Sequence, residues 1–306
     1  MNNETFAELA NRVAPIDASA ANSARELQDR LTKPQGSLGF LETLGVQLAS
    51  IAGVCPPPVP EPTVIAVFAG DHGVVEAGVS AWPSAVTAQM VANFCSGGAA
   101  INVLARHVGA RVVIVDVGVA TPIPGEAIGL QRRNVAPGTA NMALGAAMSE
   151  AKADEALNVG ADVAREAISD GAGLLVTGDM GIGNTTPSAA LIAAFTNTSA
   201  RDITGRGTGI DDDMLAVKTR VIETALARLS PDASPLAILA EVGGLEIAAL
   251  AGFIIAGAAA RVPIVIDGVI AVAAAVYFTR KIDWYSDTAK LAEATAGAAT
   301  HESWLD

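Results

Sequence analysis

Residues 174–195 read LLVTGDMGIGNTTPSAALIAAF: a short apolar run, a glycine-rich turn carrying a carboxylate, then an apolar helical segment. Gly178, Gly181 and Gly183 permit a tight turn and close approach of backbone to a ligand. Asn184, Thr185 and Thr186 supply polar side chains where a helix begins, and Pro187 fits its first turn. A helix N-terminus presents free N–H groups and is a ready anion site, so the stretch predicts a loop that cradles a phosphate. The alternative is an ordinary strand-to-helix turn with a threonine cap. A Walker A loop is excluded, because no Lys follows the last glycine. Dinucleotide binding is weakly supported: the glycines run GxxGxG, without a ribose-binding acid at the expected distance.

The same strand-then-helix grammar extends outward. Residues 63–69, 111–117, 173–177 and 262–266 are short apolar, β-branched runs. Helical patterns lie at 84–105, 149–169, 188–195 and 214–229. Short apolar strands alternating with helices predict an α/β fold, a Rossmann-like parallel sheet flanked by helices on both faces. Each strand runs to an aspartate: Asp71, Asp116, Asp179 and Asp267. Ligands of open parallel sheets bind outside the carboxyl ends of the strands, so the four carboxylates are expected at one edge in a shared site. Helix capping is the plainer reading of some of them.

Upstream, residues 1–30 show two short helical patterns broken near Pro15. A turn with Pro34, Gly36 and Gly39 follows, then a leucine stripe (Leu38, Leu41, Leu44, Leu48) read as the apolar face of a core helix. Pro56, Pro57, Pro58, Pro60 and Pro62 form an extended linker and the one clear internal boundary. The expected organisation is a smaller helical subdomain over 1–55, an α/β domain over 63–278 and an atypical tail over 279–306.

Composition narrows the function classes. The 306 residues are 51% hydrophobic and 17% charged, with a net charge of −13. No basic stripe is present to neutralise a nucleic-acid backbone, which disfavours that partner. Cys55 and Cys95 make neither metal spacing nor a disulfide framework. The polar, amphipathic start lacks a signal-peptide core, so a cytoplasmic location is expected. The longest uncharged run of the second half, 247–260, is shorter than the roughly 20 residues of a membrane span and reads as a buried helix.

Three further stretches carry chemistry. AGDHGVVEAGVSAWPSAVTAQM, residues 69–90, offers Trp82 for stacking a flat aromatic ligand, with Ser80 and Gln89 as hydrogen-bonding groups. His72 within it reads as a satisfied core or orienting histidine rather than a metal ligand. No Ser sits in a GxSxG elbow, so a catalytic triad is unsupported. TGRGTGIDDDMLAVKT, residues 204–219, is a second glycine turn leading to a helix with Lys218; turn N–H groups plus one Lys suit a phosphate monoester. By itself, Lys218 reads as part of a solvated helix face. In residues 241–276, Glu246 stands alone in an apolar segment, either a buried carboxylate or a cap.

Taken together, LTKPQGSLG, VFAGDHGV, GVSAWPSAVTAQMVANF, GGAAINVLAR, DMGIGNTT, GTGIDD and IDGV, in that order, resemble the nicotinate-nucleotide–dimethylbenzimidazole phosphoribosyltransferase family of cobalamin biosynthesis. The resemblance implies that a benzimidazole-type base attacks C1′ of nicotinate mononucleotide with inversion, releasing nicotinate and forming α-ribazole phosphate. It implies phosphate binding by Gly181, Ile182, Gly183, Asn184 and Lys218, and nucleotide contacts at Gly207, Thr208 and Gly209. It places the base at Ser80, Trp82, Gln89 and Met180. It implies no metal or cofactor, small-molecule substrates as partners, and a homodimer. The family's general-base glutamate lies in an RLGEGTGAAL block that residues 279–306 do not match, and neither Glu293 nor Glu302 has a matching context. Asp179, where the family usually has glutamate, is then the candidate catalytic carboxylate. The alternative expectation is an impaired paralogue, or a truncated chain, that binds base or nucleotide without efficient turnover.

Overall fold

The computed structural model describes residues 5–125 and 127–282. In chain order, helices α1 (Phe6–Arg12), α2 (Ala18–Arg30) and α3 (Phe40–Ala52) precede strand β1 (Thr63–Gly70). Then come α4 (Ala85–Cys95), α5 (Ala100–His107), β2 (Arg111–Gly118), β3 (Leu130–Arg132), α6 (Glu150–Ser169) and β4 (Leu174–Met180). Helices α7 (Thr185–Thr196), α8 (Ala200–Ile203), α9 (Asp212–Leu226), α10 (Pro235–Val242) and α11 (Leu245–Ala259), strand β5 (Ile264–Val265) and α12 (Val269–Ile282) complete it.

The five strands form one sheet in the order β3-β2-β1-β4-β5, and every pairing is parallel. The apolar runs that predicted β1, β2 and β4 are those strands, because a sheet covered on both faces buries successive side chains alike. Three details differ from the expectation. Strand β3 carries only LQR, too short and too polar to give an apolar signal. Strand β5 is two residues rather than five, with Val265 and Ile266 exposed at the sheet edge. The single helix expected over 84–105 is two, because Gly97 turns left-handed (φ +74°) between α4 and α5.

Helix α11 fills the core. Every residue from Leu245 to Gly257 is buried, between α6, the central strands and α12. Backbones of α6 and α11 touch: a Cβ on Gly252 would lie 1.8 Å from the Leu157 carbonyl oxygen. Phe68 and Phe253 meet edge-on at 5.5 Å in this layer. The short helix α1 belongs to the same core through Phe6, Leu9 and Ala10, whereas α2 and α3 pack chiefly on each other. Arg261 ties that pair down, donating to the carbonyls of Ile51 (3.0 Å) and Pro15 (2.9 Å). The leucine stripe was expected to face a core. Instead Leu38, Leu41 and Leu44 are exposed, and α3 buries Ala49 and Ser50. Among the described residues no helix is long and apolar enough to cross a membrane. Of the tail, residues 283–306, with Glu293 and Glu302, lie outside the described residues.

Candidate active site

Strand order reverses at the β1–β4 pair, since β2 follows on one side and β5 on the other. A crevice opens outside the carboxyl ends of strands at such a point, and here it holds the turns after β1 and β4. The β4 turn is built from several directions. Ile182 N–H donates to Thr87 Oγ1 of α4 at 3.1 Å, and Thr87 is fully buried. Asn184 Nδ2 donates to Asp179 Oδ2 at 2.8 Å. Asn184 occupies the N-cap position of α7 without a side-chain cap, and the turn is closed by backbone bonds instead, from Asn184 N–H to the Gly181 carbonyl and from Thr186 N–H to the Gly183 carbonyl, 3.0 Å each. Gly183 sits at φ +87°, a left-handed geometry that favours glycine.

One cleft is lined by Ser80, Gly181–Asn184, Thr185, Arg206, Thr208 and Lys218. Lys218 is 1% exposed, so its helix face is not solvated as the residue alone suggested. Its Nζ donates to Thr185 Oγ1 at 2.7 Å and to the Gly205 carbonyl at 3.0 Å. Burial favours the neutral amine and pulls its pKa down to about 8. Gly207, at φ +56°, closes over these groups: a Cβ there would lie 2.9 Å from Thr185 Oγ1 and 3.5 Å from Lys218 Nζ. Arg206 adds a second cation at the rim, bonded to the Ile210 carbonyl at 3.0 Å and to Asp212. Sequence reasoning passed over Thr87 and Arg206. The only signal of either was a polar residue on an apolar helix or within a glycine turn.

The structure thus brings Gly181, Ile182, Gly183, Asn184, Thr208 and Lys218 to one cleft. Packing of α9 on α7 closes the 33-residue separation between Thr185 and Lys218. Gly207 and Gly209 belong to the same turn as Thr208 and are exposed. The residues expected around an aromatic base are less gathered. Ser80 reaches the cleft, but its Oγ bonds the Trp82 backbone, accepting from N–H and donating to the carbonyl at 3.1 Å each. Trp82 is 53% exposed. Gln89 is exposed on α4, and Met180 is half-buried at the end of β4.

The four strand-end aspartates do not form one shared site. Asp116 Oδ1 accepts from Val119 N–H (2.9 Å) and Asn134 Nδ2 (3.1 Å), and Asp71 Oδ2 accepts from Ala120 N–H (2.8 Å). Both therefore hold the loop after β2. Asp267 is exposed. What gathers instead is His72, Glu246 and Asp179, with Asp71 beside them through its buried second oxygen. His72 Nε2 and Glu246 Oε1 are 2.6 Å apart, with both side chains at most 1% exposed. Glu246 is thus a buried carboxylate and not a cap. Burial pulls the His72 pKa down, but the carboxylates of Glu246, Asp71 and Asp179 outweigh it and the net direction is up. Asp179 is pushed up to about 6, first by burial and then by the Glu246 charge, against the opposing effects of Asn184 and His72.

Comparison with known proteins gives the family. A family model described as a phosphoribosyltransferase covers residues 13–297. The nicotinate-nucleotide–dimethylbenzimidazole phosphoribosyltransferase of Salinispora tropica is 52% identical over 277 residues, spanning 86% of this chain and 76% of that protein. The protein of the same name from Chloroflexus aurantiacus is 55% identical over 266 residues, spanning 87% and 75%. The crystal structure of CobT from Thermus thermophilus superposes with a TM-score of 0.84 at 44% identity, over 87% of this chain and 79% of that one. Fold and relatives agree: the chain belongs to the nicotinate-nucleotide–dimethylbenzimidazole phosphoribosyltransferase family.

Proposed function

We propose that this chain transfers the phosphoribosyl group of nicotinate mononucleotide to 5,6-dimethylbenzimidazole, giving α-ribazole 5′-phosphate and nicotinate. The observation that carries the site assignment is the buried Lys218 ammonium held beside Thr185 at the mouth of a glycine-walled helix start. In this reading it is a phosphate clamp: the Gly181–Asn184 turn, whose Ile182 and Asn184 N–H groups are held by Thr87 and by the Gly181 carbonyl, offers its remaining N–H groups, and one cation completes the site for a dianion. The base nitrogen attacks C1′ from the face opposite nicotinate, the C1′–N bond to nicotinate breaks, and configuration inverts. Pinning the phosphate leaves C1′ little freedom, so much of the acceleration is positional.

The attacking base also loses its ring N–H proton. Asp179 is the acceptor in this reading, because it joins the phosphate turn through Asn184 and holds a proton more tightly than an ordinary carboxylate. Gly207, Thr208 and Gly209 would contact the nucleotide, and Ser80, Trp82, Gln89 and Met180 the base. The relatives' shared name supports turnover over the alternative of binding without it. No cofactor enters the chemistry. A homodimer would cover the exposed Leu38, Phe40 and Leu41, which sedimentation velocity tests. A cytoplasmic location fits two free cysteines, and cell fractionation tests it.

The function is tested by mixing protein, nicotinate mononucleotide and dimethylbenzimidazole and following nicotinate by chromatography. Saturable nicotinate release with matching α-ribazole phosphate is expected. Saturable binding of either substrate without release would overturn the reading.

A further inference from the structure

The phosphate clamp accounts for Lys218, Thr185 and the β4 turn. It leaves His72 and Glu246 unexplained, although they are the most deeply buried ionisable pair in the site. A pair of charges in a core is not retained for stability, since apolar side chains of similar size serve as well or better. Three buried atoms of this cluster, His72 Nδ1, Glu246 Oε2 and Asp71 Oδ1, have no hydrogen-bond partner among the described residues. Each is a further cost, and costs of this kind collect at functional sites.

The surroundings show what the pair touches. A Cβ on Gly181 would stand 3.0 Å from His72 Nε2 and 3.1 Å from Glu246 Oε1. On Gly244 it would stand 2.5 Å from His72 Cε1, and on Gly70 it would stand 3.0 Å from Glu246 Oε2. Glycines from β1, the β4 turn and the start of α11 therefore close around one His–Glu pair. Gly181 follows Asp179 by two residues and opens the phosphate turn. The charged groups acting on His72 are Glu246 of α11, Asp71 at the end of β1 and Asp179 of β4.

We propose that His72 and Glu246 are positioning residues for phosphoribosyl transfer: the pair seats the Gly181 backbone and, through it, sets the place and the local field of the Asp179 carboxylate. Neither residue needs to touch substrate. The two act on Asp179 with opposite sign, Glu246 favouring its protonated form and the His72 imidazolium its ionised form. This rests on the proposed function, but the central readout does not depend on turnover.

The test uses the full chain and the variants Glu246→Gln and His72→Gln, which keep shape and polarity. Asp179 is titrated by carbon-13 NMR of its carboxyl group, and kcat and KM are measured in parallel. The expected result is a downward shift of the Asp179 midpoint in Glu246→Gln and an upward shift in His72→Gln, each of about half a unit or more. Both variants should lose about tenfold or more in kcat with KM for nicotinate mononucleotide within about threefold. Unmoved midpoints, or shifts of the same sign in both, would overturn the proposal, as would a lowered Tm with kcat intact. Should Glu246→Gln fail to fold, the upward shift and kcat loss in His72→Gln carry the test alone. A wild-type chain that releases no nicotinate sinks the transferase reading instead, and the titration still decides the pair.

Discussion

Thr185 Oγ1 accepts a hydrogen bond from the Lys218 ammonium at 2.7 Å, joining the first turn of α7 to the middle of α9. The bond places a cation beside the glycine-walled start of a helix, and neither segment has both parts of that arrangement alone. Removing the cation should therefore unmake the anion site while sparing the fold. Lys218→Met keeps the apolar stem and should raise KM for nicotinate mononucleotide about 10–100-fold, the worth of a charge-assisted bond. Steady-state kinetics at fixed dimethylbenzimidazole checks it.

The same burial fixes a pH dependence. Burial pulls the Lys218 pKa down to about 8, so the cation proposed to bind phosphate is lost as pH rises through that value. Asp179, pushed up to about 6, loses the ionised form proposed to accept the proton as pH falls through that value. The kcat/KM profile should be bell-shaped, with limbs near these two values. A profile that stays flat from about pH 5 to about pH 9 contradicts both assignments.

Asp179→Asn separates chemistry from stability. Turnover should fall by about 10²–10⁴, the usual weight of general-base help. The sign for stability is the reverse. The folded-state pKa is raised, so this carboxyl contributes stability below its ordinary value of 3.8, and that contribution is lost as pH rises through about 6. At about pH 7 the ionised side chain is a burden that Asn removes. Thermal melting should show Tm higher than wild type by about 2 °C or more at about pH 7, and equal at about pH 3.5.

Thr87 supports the turn from outside it. Thr87→Val removes the acceptor for the buried Ile182 N–H, at a cost of about 1–3 kcal/mol. Denaturant unfolding should show that loss, and KM for nicotinate mononucleotide should rise as the turn loosens. An unchanged midpoint would mean that Ile182 finds another acceptor.

Trp82 carries the opposite expectation. It is mostly exposed, so Trp82→Ala should leave Tm unchanged. If the indole stacks on the acceptor, KM for dimethylbenzimidazole should rise about 2–10-fold, the range of an aromatic pair, with KM for the nucleotide constant. Equal rises in both would place Trp82 elsewhere in the cycle.

Much of this was legible before folding. Apolar runs near 63, 111 and 174 announced a covered parallel sheet, because a two-faced strand must be apolar throughout. The GIGNTTP turn announced a tight glycine turn into a helix start, since glycine and proline at those offsets do the same work in any helix start. Short β3 escaped because LQR carries no apolar signal. The leucine stripe of α3 misled because periodicity reports an apolar face and not what covers it.

By itself, then, the chain determined the local grammar: which segments are strands, where they turn, and which turn leads through glycines into a helix start. Those follow from backbone geometry and side-chain pattern within a few residues. Only the tertiary structure decided that Lys218 is buried, that Asp71 and Asp116 serve a loop, and that His72 of the β1 turn meets Glu246 of α11 across 174 residues. Burial and charge pairing depend on which elements pack together. A residue's proton affinity, and hence its chemistry, is set by neighbours that are remote in sequence.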